Sequence, residues 1–248
     1  MSDVITVTDV ARRFGPRLLF RHVSFSVHQG EILVILGGSG CGKSTLLRML
    51  VGLLEPSDGR IEVLGGDMAR ADTALRIRVG VTFQMGALFG SMTLLENVML
   101  PLEMHTALPA LARESVARTK LGLVGLSDAA GLMPAEISGG MAKRAAIARA
   151  LALDPPLLFL DEPSAGLDPI TSAGLDDLIL DLKRDLGITF VVVTHELASV
   201  RAIADRCIML DKAAQGMIAE GDPRTLGDTS DHPTVRAFFR REAAGEAR

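Results

Sequence analysis

The amino-acid sequence predicts an α/β protein built around a largely buried β-sheet. Short apolar runs rich in β-branched residues alternate with longer segments of helical period, which is typical of a sheet covered by helices on both faces. A glycine-rich loop joins one of these runs to a helical segment. The runs that predict strands are residues 32–36, 60–64, 79–83, 157–160, 188–193 and 207–210.

Antiparallel pairing is expected near both ends of the chain. Residues 4–10 and 23–27 alternate apolar with polar side chains, so they predict an N-terminal antiparallel β layer with one face toward solvent. Residues 207–210 and 217–220 flank a short turn and predict a β-hairpin.

The middle of the chain predicts a helical subdomain. Residues 93–153 show no strand pattern, and their helical segments are expected to break at Pro101, Pro109 and Pro134. We therefore expect a single domain in three parts. These are an α/β core with its β layer at 1–84 and 155–230, an inserted helical subdomain at 85–154, and a C-terminal helix and tail at 231–248.

Composition argues against several functional classes. The 248 residues carry 26 Lys and Arg against 30 Asp and Glu, a net charge of −4, which disfavours a protein that binds nucleic-acid phosphates. Trp and Tyr are absent, so base-stacking platforms are not expected. Two cysteines, Cys41 and Cys207, are too few for a disulfide framework or a four-cysteine zinc site.

No segment predicts export or insertion into a membrane. The first ten residues lack a basic region followed by an apolar stretch. The longest apolar runs, such as 188–193, are far shorter than the ~20 residues of a membrane span. We expect a soluble, cytoplasmic protein.

The strongest functional signal is a phosphate-binding loop. The pattern G-x-x-x-x-G-K-[ST] is matched by Gly37, Gly38, Ser39, Gly40, Cys41, Gly42, Lys43 and Ser44. The loop lies between the strand predicted at 32–36 and a helical segment that begins at Thr45. Glycines let backbone N–H groups face phosphate oxygens, and the helix N-terminus adds a positive dipole end. We expect Lys43 to bridge the β and γ phosphates and the Ser44 hydroxyl to bind Mg²⁺.

Cys41 allows two interpretations inside this loop. Its position near Lys43 and a helix N-terminus favours a reactive thiolate. The alternative, equally weighted, is an inert small residue at a variable loop position.

A carboxylate pair forms the second signal. The apolar run 157–160 is followed by Asp161 and Glu162. A strand that ends in Asp places a carboxylate at the C-terminal edge of the sheet, where it can bind Mg²⁺ beside a phosphate loop. Glu162 can then orient or deprotonate an attacking water.

A second anion site is predicted where a helix begins after Ile137. Ser138 is expected to be the N-cap, and Gly139 and Gly140 expose backbone N–H groups at the positive end of the helix. Alone, this pattern is usually only a helix cap. Because the chain already has one complete phosphate site, we expect Ser138 to Gly140 to bind the γ-phosphate held by another subunit.

Two polar residues follow predicted strands. His195 follows the strand predicted at 188–194 and is expected to contact the γ-phosphate. Gln84 ends the strand at 79–83, where its amide can reach Mg²⁺ or the attacking water. Each would more often be a solvated surface residue if it stood alone.

Together these motifs resemble the nucleotide-binding subunit of ABC transporters over nearly the whole chain. They are the phosphate loop, Gln84, ISGGM at 137–141, LLFLDE at 157–162, SAGLD at 164–168 and His195. The resemblance implies a P-loop NTPase core with an N-terminal β layer and a helical insertion, the ABC ATPase fold. It implies hydrolysis of ATP with Mg²⁺ and a homodimer with ATP at the interface. It also places Phe14 where the family stacks a Tyr on adenine, and Asp168 in a loop that touches the partner's phosphate loop.

The signature departs from the usual LSGGQ at Ile137 and Met141, which puts the contact of the Gln side chain with the opposing nucleotide in doubt. Met at this position resembles the ATPases of Mla-type (MCE-system) phospholipid transporters. Four stretches fit that subfamily: FQMGALF at 83–89, LMPAE at 132–136, DPITS at 168–172 and HPTVRAF at 232–238. This resemblance implies integral membrane permease subunits as partners on the cytoplasmic face of the inner membrane. It also implies a lipid-binding MCE-domain protein and a small regulatory subunit.

Alternatives remain within and outside transport. The runner-up is the ATPase of an ABC transporter for another small molecule, because no residue of such a subunit contacts the cargo. An ABC ATPase of translation or DNA repair would carry tandem cassettes or long coiled coils, which are absent from the sequence. A P-loop GTPase is disfavoured because the chain has no Asn-Lys-x-Asp motif.

The stretch 85–92 offers a candidate contact with the permease. It is apolar, rich in Met and punctuated by glycine, which favours an adaptable groove for an amphipathic helix. The alternative is that Leu88 and Phe89 are ordinary core residues.

Overall fold

The computed structural model of the protein describes residues 2–84 and 87–240. The strands are β1 (Asp3–Phe14), β2 (Arg17–His28), β3 (Ile32–Gly37), β4 (Asp58–Val63), β5 (Gly66–Asp67), β6 (Val79–Thr82), β7 (Leu157–Asp161), β8 (Thr189–Val193), β9 (Arg206–Asp211) and β10 (Gly216–Gly221). The helices are α1 (Lys43–Leu50), α2 (Thr73–Arg76), α3 (Leu94–His105), α4 (Ala110–Leu123), α5 (Gly139–Ala150), α6 (Pro169–Leu186), α7 (Leu197–Ile203), α8 (Leu226–Thr229) and α9 (Pro233–Phe239). Short 3₁₀ turns lie at Met68–Arg70, Ser127–Ala129 and Pro134–Glu136.

The chain forms two compact units. One combines the residues before 73 with those after 188, and the other is Thr73–Ile188. The second unit covers more chain than the helical subdomain expected at 85–154, and the expected division stays a prediction. None of the described helices is both long and apolar enough to cross a membrane.

The first unit contains an antiparallel sheet of order β2-β1-β4-β5. Val7 of β1 pairs with Phe25 on one side and with Ile61 on the other. The predicted N-terminal β layer is therefore confirmed. The strand expected at 60–64 belongs to this layer and not to the buried core sheet, which corrects the prediction. Its own alternation, with Ile61 and Val63 buried, is typical of a sheet with one face covered.

Parallel strands also lie in the first unit and carry the phosphate loop. β3 runs parallel to β9 and to β8, and the register joins Ile35 to Val193. Every residue of β3 and β8 is buried. β9 and β10 form the predicted antiparallel hairpin. α9 begins at Pro233 and buries Val235 and Phe239, as expected of a short amphipathic helix; the tail from 241 lies outside the described residues.

The second unit pairs β6 with β7 in parallel and contains α3 to α6. Pro109 caps α4 and Pro134 begins a 3₁₀ turn, so two of the three predicted breaks are confirmed. Pro101 lies inside α3, and the break predicted there is wrong. The helix continues because burial of Val98 and Leu102 on both sides of Pro101 outweighs the lost backbone hydrogen bond.

Candidate functional site

The phosphate loop joins β3 to α1, as the sequence predicts. Gly37 has a φ of 143°, and a Cβ there would lie 2.3 Å from the carbonyl oxygen of Leu210. Gly42 has a φ of 109°, and a Cβ there would lie 2.8 Å from the ring of Phe20. Only glycine therefore lets the loop pass this close to β9 and β2.

Lys43 is the first residue of α1 and folds back over the loop. Its Nζ donates to the carbonyl oxygen of Gly37 at 2.8 Å and to that of Gly38 at 3.3 Å. Gly38 and Gly40 are exposed, so the loop opens to solvent beside the ammonium. A positive side chain, exposed loop backbone and a helix N-terminus together form a site for a phosphate group.

Cys41 faces away from this opening. It is 1% exposed, and burial raises the pKa of its thiol in spite of the nearby Lys43. Burial and the raised pKa therefore disfavour a reactive thiolate. The alternative, an inert small residue, fits the geometry.

An open cavity of about 290 Å³ adjoins the phosphate loop. It is lined by the end of β1, the start of β2 and the loop itself, including Phe14, Arg17, Leu19, Lys43 and Ser44. The ring of Phe14 is 48% exposed, and the Arg12 guanidinium lies 4.5 Å from its centroid. Phe14 thus presents an aromatic surface to the same cavity as the phosphate loop, at the place expected for a base.

His195 lies near the phosphate loop within the same unit. It follows β8, which pairs in parallel with β3. Continuing the register from Ile35 and Val193 places His195 level with Gly37. His195 is exposed while Thr194 before it is buried, so the imidazole lies at the surface of this unit.

The carboxylate pair lies in the second unit, at the C-terminal end of β7. Asp161 is the last residue of the strand and is half-buried, and Glu162 follows with 9% exposure. Glu162 has a φ of 48°, which is uncommon for a non-glycine residue. Its carbonyl oxygen accepts a hydrogen bond from the N–H of Ala165 at 3.2 Å. Local backbone strain of this kind occurs at functional sites.

Gln84 is exposed in a turn two residues after β6. The next two residues, 85 and 86, lie outside the described residues. The segment that begins at Ala87 is held by a helix of the same unit. Arg149 of α5 donates to the carbonyl oxygen of Ala87 at 2.6 Å.

The predicted second anion site begins α5. Ser138 is the N-cap, and its Oγ accepts from the N–H of Met141 at 3.2 Å. Ser138 and Gly139 are exposed, whereas Gly140 is buried. A Cβ on Gly140 would lie 2.5 Å from Cγ2 of Thr171, so this glycine is required by packing against α6 as well. A hydroxyl can accept and donate at the same time, so Ser138 can cap the helix through its oxygen and donate its hydrogen to a ligand.

Asp168 is the N-cap of α6. Its Oδ1 accepts from the N–H groups of Ile170 and Thr171, and its Oδ2 from the Thr171 hydroxyl at 2.5 Å. These hydrogen bonds from Thr171 hold the pKa of Asp168 below its usual value. The carboxylate therefore fixes the start of α6, directly after the segment 164–168 that the resemblance implicates in a dimer.

Comparison with known proteins agrees with this geometry. The model of the family described as ABC transporter matches residues 20–165. The chain is 42% identical to the intermembrane phospholipid transport system ATP-binding protein MlaF of Escherichia coli K12, over 96% of this chain and 89% of the relative. It is 40% identical to the probable ribonucleotide transport ATP-binding protein mkl of Mycobacterium tuberculosis H37Rv, over 96% of this chain and 67% of the relative. The chain belongs to the ABC transporter family.

A solved structure supports the fold of this family member. It is a dimeric ATP-binding cassette in a post-hydrolysis state, bound to ADP and Pi, with 31% identity and a TM-score of 0.78. The match covers 89% of this chain and 99% of that chain. The predicted ABC ATPase fold and the prediction of an ATP-binding, ATP-hydrolysing enzyme are confirmed.

Two polar residues of this ABC ATPase were not singled out by the sequence. Lys143 of α5 donates to the backbone carbonyls of Gln84 and Glu162. Asn97 of α3 is fully buried and hydrogen-bonds the backbone of Phe89 and Met92. The one sequence signal for Asn97 is its place between the apolar residues Leu94 and Val98, where a polar side chain needs buried partners.

Proposed function

We propose that this ABC ATPase dimerises around two ATP molecules and drives a membrane permease that moves phospholipid between membranes. The observation that carries the proposal is the 42% identity to MlaF, which extends over nearly the whole of both chains. The subfamily stretches at 83–89, 132–136, 168–172 and 232–238 point in the same direction.

In this proposal the first unit binds the nucleotide. Phe14 stacks on adenine, and the loop from Gly37 to Ser44 binds the phosphates, with Thr45 in the first turn of α1. Lys43 moves its N–H donors from the loop carbonyls to the β and γ phosphates. The cavity beside Phe14 and the exposed loop backbone support this placement.

Mg²⁺ is proposed to be held by oxygen atoms of Ser44, Asp161 and Gln84. A hydroxyl, a carboxylate and an amide oxygen are ligands that fit Mg²⁺. No group of three or more His, Cys, Asp or Glu side chains that could hold a metal occurs among the described residues. An ion held by these three side chains would take further oxygen ligands from the nucleotide phosphates and balance their charge.

Hydrolysis is assigned to three side chains. Glu162 accepts a proton from the attacking water, Gln84 orients that water, and His195 donates a hydrogen bond to the γ-phosphate. The strained backbone at Glu162 and the exposure of His195 beside the loop support these roles.

The second anion site is assigned to the partner's nucleotide. Ser138, Gly139 and Gly140 would bind the γ-phosphate held by the other subunit, and the turn that ends at Asp168 would contact the partner's phosphate loop. The dimeric cassette with bound ADP and Pi supports a homodimer. We propose that its two subunits are arranged head to tail, because each then supplies its Ser138 site to the partner's nucleotide.

The permease is proposed to bind the second unit. Phe89 is 50% exposed, which contradicts the alternative that it is a core residue. An open cavity of about 400 Å³ is lined by Val81, Pro101, His105 and Arg149. Since Arg149 also holds the carbonyl of Ala87, the cavity and the segment 87–92 adjoin and can receive an amphipathic cytoplasmic helix. An MCE-domain protein and a small regulatory subunit complete the assembly, on the cytoplasmic face of the inner membrane.

A second candidate cargo is a ribonucleotide, favoured by the name of the mycobacterial relative. Both cargoes can be tested together. The tagged chain is purified with its co-purifying membrane subunits and placed in liposomes. ATP-dependent transfer of a fluorescent phospholipid to acceptor vesicles is then compared with uptake of a labelled ribonucleotide, with Glu162→Gln as the inactive control. Lipid transfer without ribonucleotide uptake is expected. The reverse result would replace phospholipid by the second candidate.

A further inference from the structure

Lys143 joins two backbone positions that the proposed mechanism needs close together. From α5, its Nζ donates to the carbonyl oxygen of Gln84 and, at 3.2 Å, to that of Glu162. These acceptors belong to two segments that are 78 residues apart in sequence, from 84 to 162. One ammonium therefore fixes how far apart the two segments lie.

The surroundings of Lys143 strengthen this bridge. The side chain is partly buried, and burial lowers its pKa, while the charges of Glu162 and Asp161 act in the opposite direction. Partial desolvation makes each N–H···O=C bond stronger than it would be in water. It also means that the carbonyls have less water available if the ammonium is removed.

Glu162 has a particular need for such support. Its backbone lies in the left-handed region, which is strained for a non-glycine residue. Its carbonyl oxygen accepts two hydrogen bonds, from Lys143 and from the N–H of Ala165. Both bonds hold the peptide group that follows Glu162 in one orientation, and so fix where its side chain begins.

We propose that Lys143 is a positioning residue for hydrolysis, which sets the separation of Gln84 and Glu162 through their backbone carbonyls. The inference rests on the proposed roles of Gln84 and Glu162. Lys143 does not touch the water or the nucleotide in this scheme, and it acts only through the two residues that do. A displacement of about 1 Å at a reacting group can lower turnover ~100-fold.

The test compares Lys143→Met with Lys120→Met. Methionine keeps most of the length and bulk of lysine but cannot donate. Lys120 lies in the same unit, is 7% exposed and pairs with Asp154, so its replacement disturbs the unit without touching Gln84 or Glu162. For the purified full-length variants, ATP turnover at saturating ATP, the dissociation constant for ATP and the melting temperature are measured.

We expect Lys143→Met to lower kcat by ~10- to 100-fold while the ATP dissociation constant stays within ~3-fold of wild type. Lys143→Arg keeps a cation with several donors and should recover at least ~5-fold of the lost kcat. Lys120→Met should lower the melting temperature but leave kcat of the folded protein within ~2-fold. If Lys143→Met does not fold, Lys143→Leu, which likewise cannot donate a hydrogen bond, is measured in its place with the same expectation.

Three results would overturn the inference. They are a kcat of the Lys143 variant within ~2-fold of wild type, an equal loss of kcat and ATP affinity, and an equal loss of kcat in Lys120→Met. Glu162→Gln separates this failure from failure of the proposed function. If Glu162→Gln is inactive and Lys143→Met is active, only the positioning role fails. If Glu162→Gln retains turnover, the proposed catalytic role fails and the inference fails with it.

Discussion

Asn97 should stabilise the turn that presents Phe89, and Asn97→Ala tests this directly. The side chain is fully buried, and its Oδ1 accepts from the N–H of Phe89 at 2.8 Å. Its Nδ2 donates to the carbonyl oxygens of Phe89 and Met92, both at 3.1 Å, and to that of Thr93 at 3.0 Å. Both polar atoms of the amide therefore bond to the backbone of residues 89–93, which lie outside the helices and strands.

The structure gives the size of the effect. Asn97→Ala removes three hydrogen bonds to the turn, to the N–H and carbonyl of Phe89 and the carbonyl of Met92. At about 1 kcal/mol for each bond, the free energy of unfolding falls by ~3 kcal/mol. This figure includes no further penalty for the polar groups of the turn that lose their partner. For a chain of this length, ~3 kcal/mol corresponds to a fall in melting temperature of ~6–12 °C.

Thermal unfolding followed by circular dichroism measures this change. Ser115→Ala, at an exposed position of α4 in the same unit, is the control and should stay within ~0.5 kcal/mol of wild type. Asn97→Asp keeps an acceptor for the Phe89 N–H but removes both donors and buries a charge, so it should be at least as unstable as Asn97→Ala. A melting temperature of Asn97→Ala within ~2 °C of wild type would refute the reasoning, because the turn would then not depend on the amide.

Four other outcomes are expected. Glu162→Gln should abolish hydrolysis, keep ATP binding and accumulate an ATP-bound dimer, seen by light scattering; turnover near wild type would contradict its catalytic role. A mixture of Lys43→Ala and Ser138→Arg chains should be more active than either variant alone, because one composite site per mixed dimer keeps both halves; no gain would count against a shared site. Because burial raises the pKa of Cys41, its labelling by thiol reagents should be slow at pH 7 and become faster as the pH rises toward that pKa; rapid labelling at pH 7 would disprove this. Phe89→Asp should leave ATP binding and the melting temperature nearly unchanged while releasing the permease, and a strongly destabilised protein would exclude the docking role.

Local sequence patterns were sufficient for the elements that depend on neighbouring residues. The phosphate loop is defined by glycines whose φ angles and close contacts only glycine allows, and they are spaced within eight residues. The N-cap role of Ser138 was likewise predictable, since cap and helix are adjacent. Pattern could not decide which sheet the strand β4 joins, because alternation identifies a half-buried strand but not its partner. Pro101 also went against the local rule, because packing on either side of it holds α3 together.

The residues proposed to contact a nucleotide could be named from the sequence, whereas the residues that contact the backbone could not. Lys143 lies 59 residues from Gln84 and 19 residues from Glu162, and both of its acceptors are peptide carbonyls. Every residue has such a carbonyl, so no residue type marks the acceptor. The same holds for Asn97, whose partners are defined only after the turn at 89–93 has formed.

These backbone contacts give Gln84 and the segment 87–92 two different supports. α5 is a 12-residue helix that begins after Ser138, and its Lys143 and Arg149 hold the carbonyls of Gln84 and Ala87. The other end is held from α3 by Asn97. Lys143 holds the carbonyl of Gln84, whereas Asn97 holds those of Phe89 and Met92. Their losses should therefore separate: without Lys143 hydrolysis suffers first, whereas without Asn97 the surface around Phe89 is lost first. Support for Gln84 in its proposed role in hydrolysis is in this way distinct from support for the proposed contact with the permease.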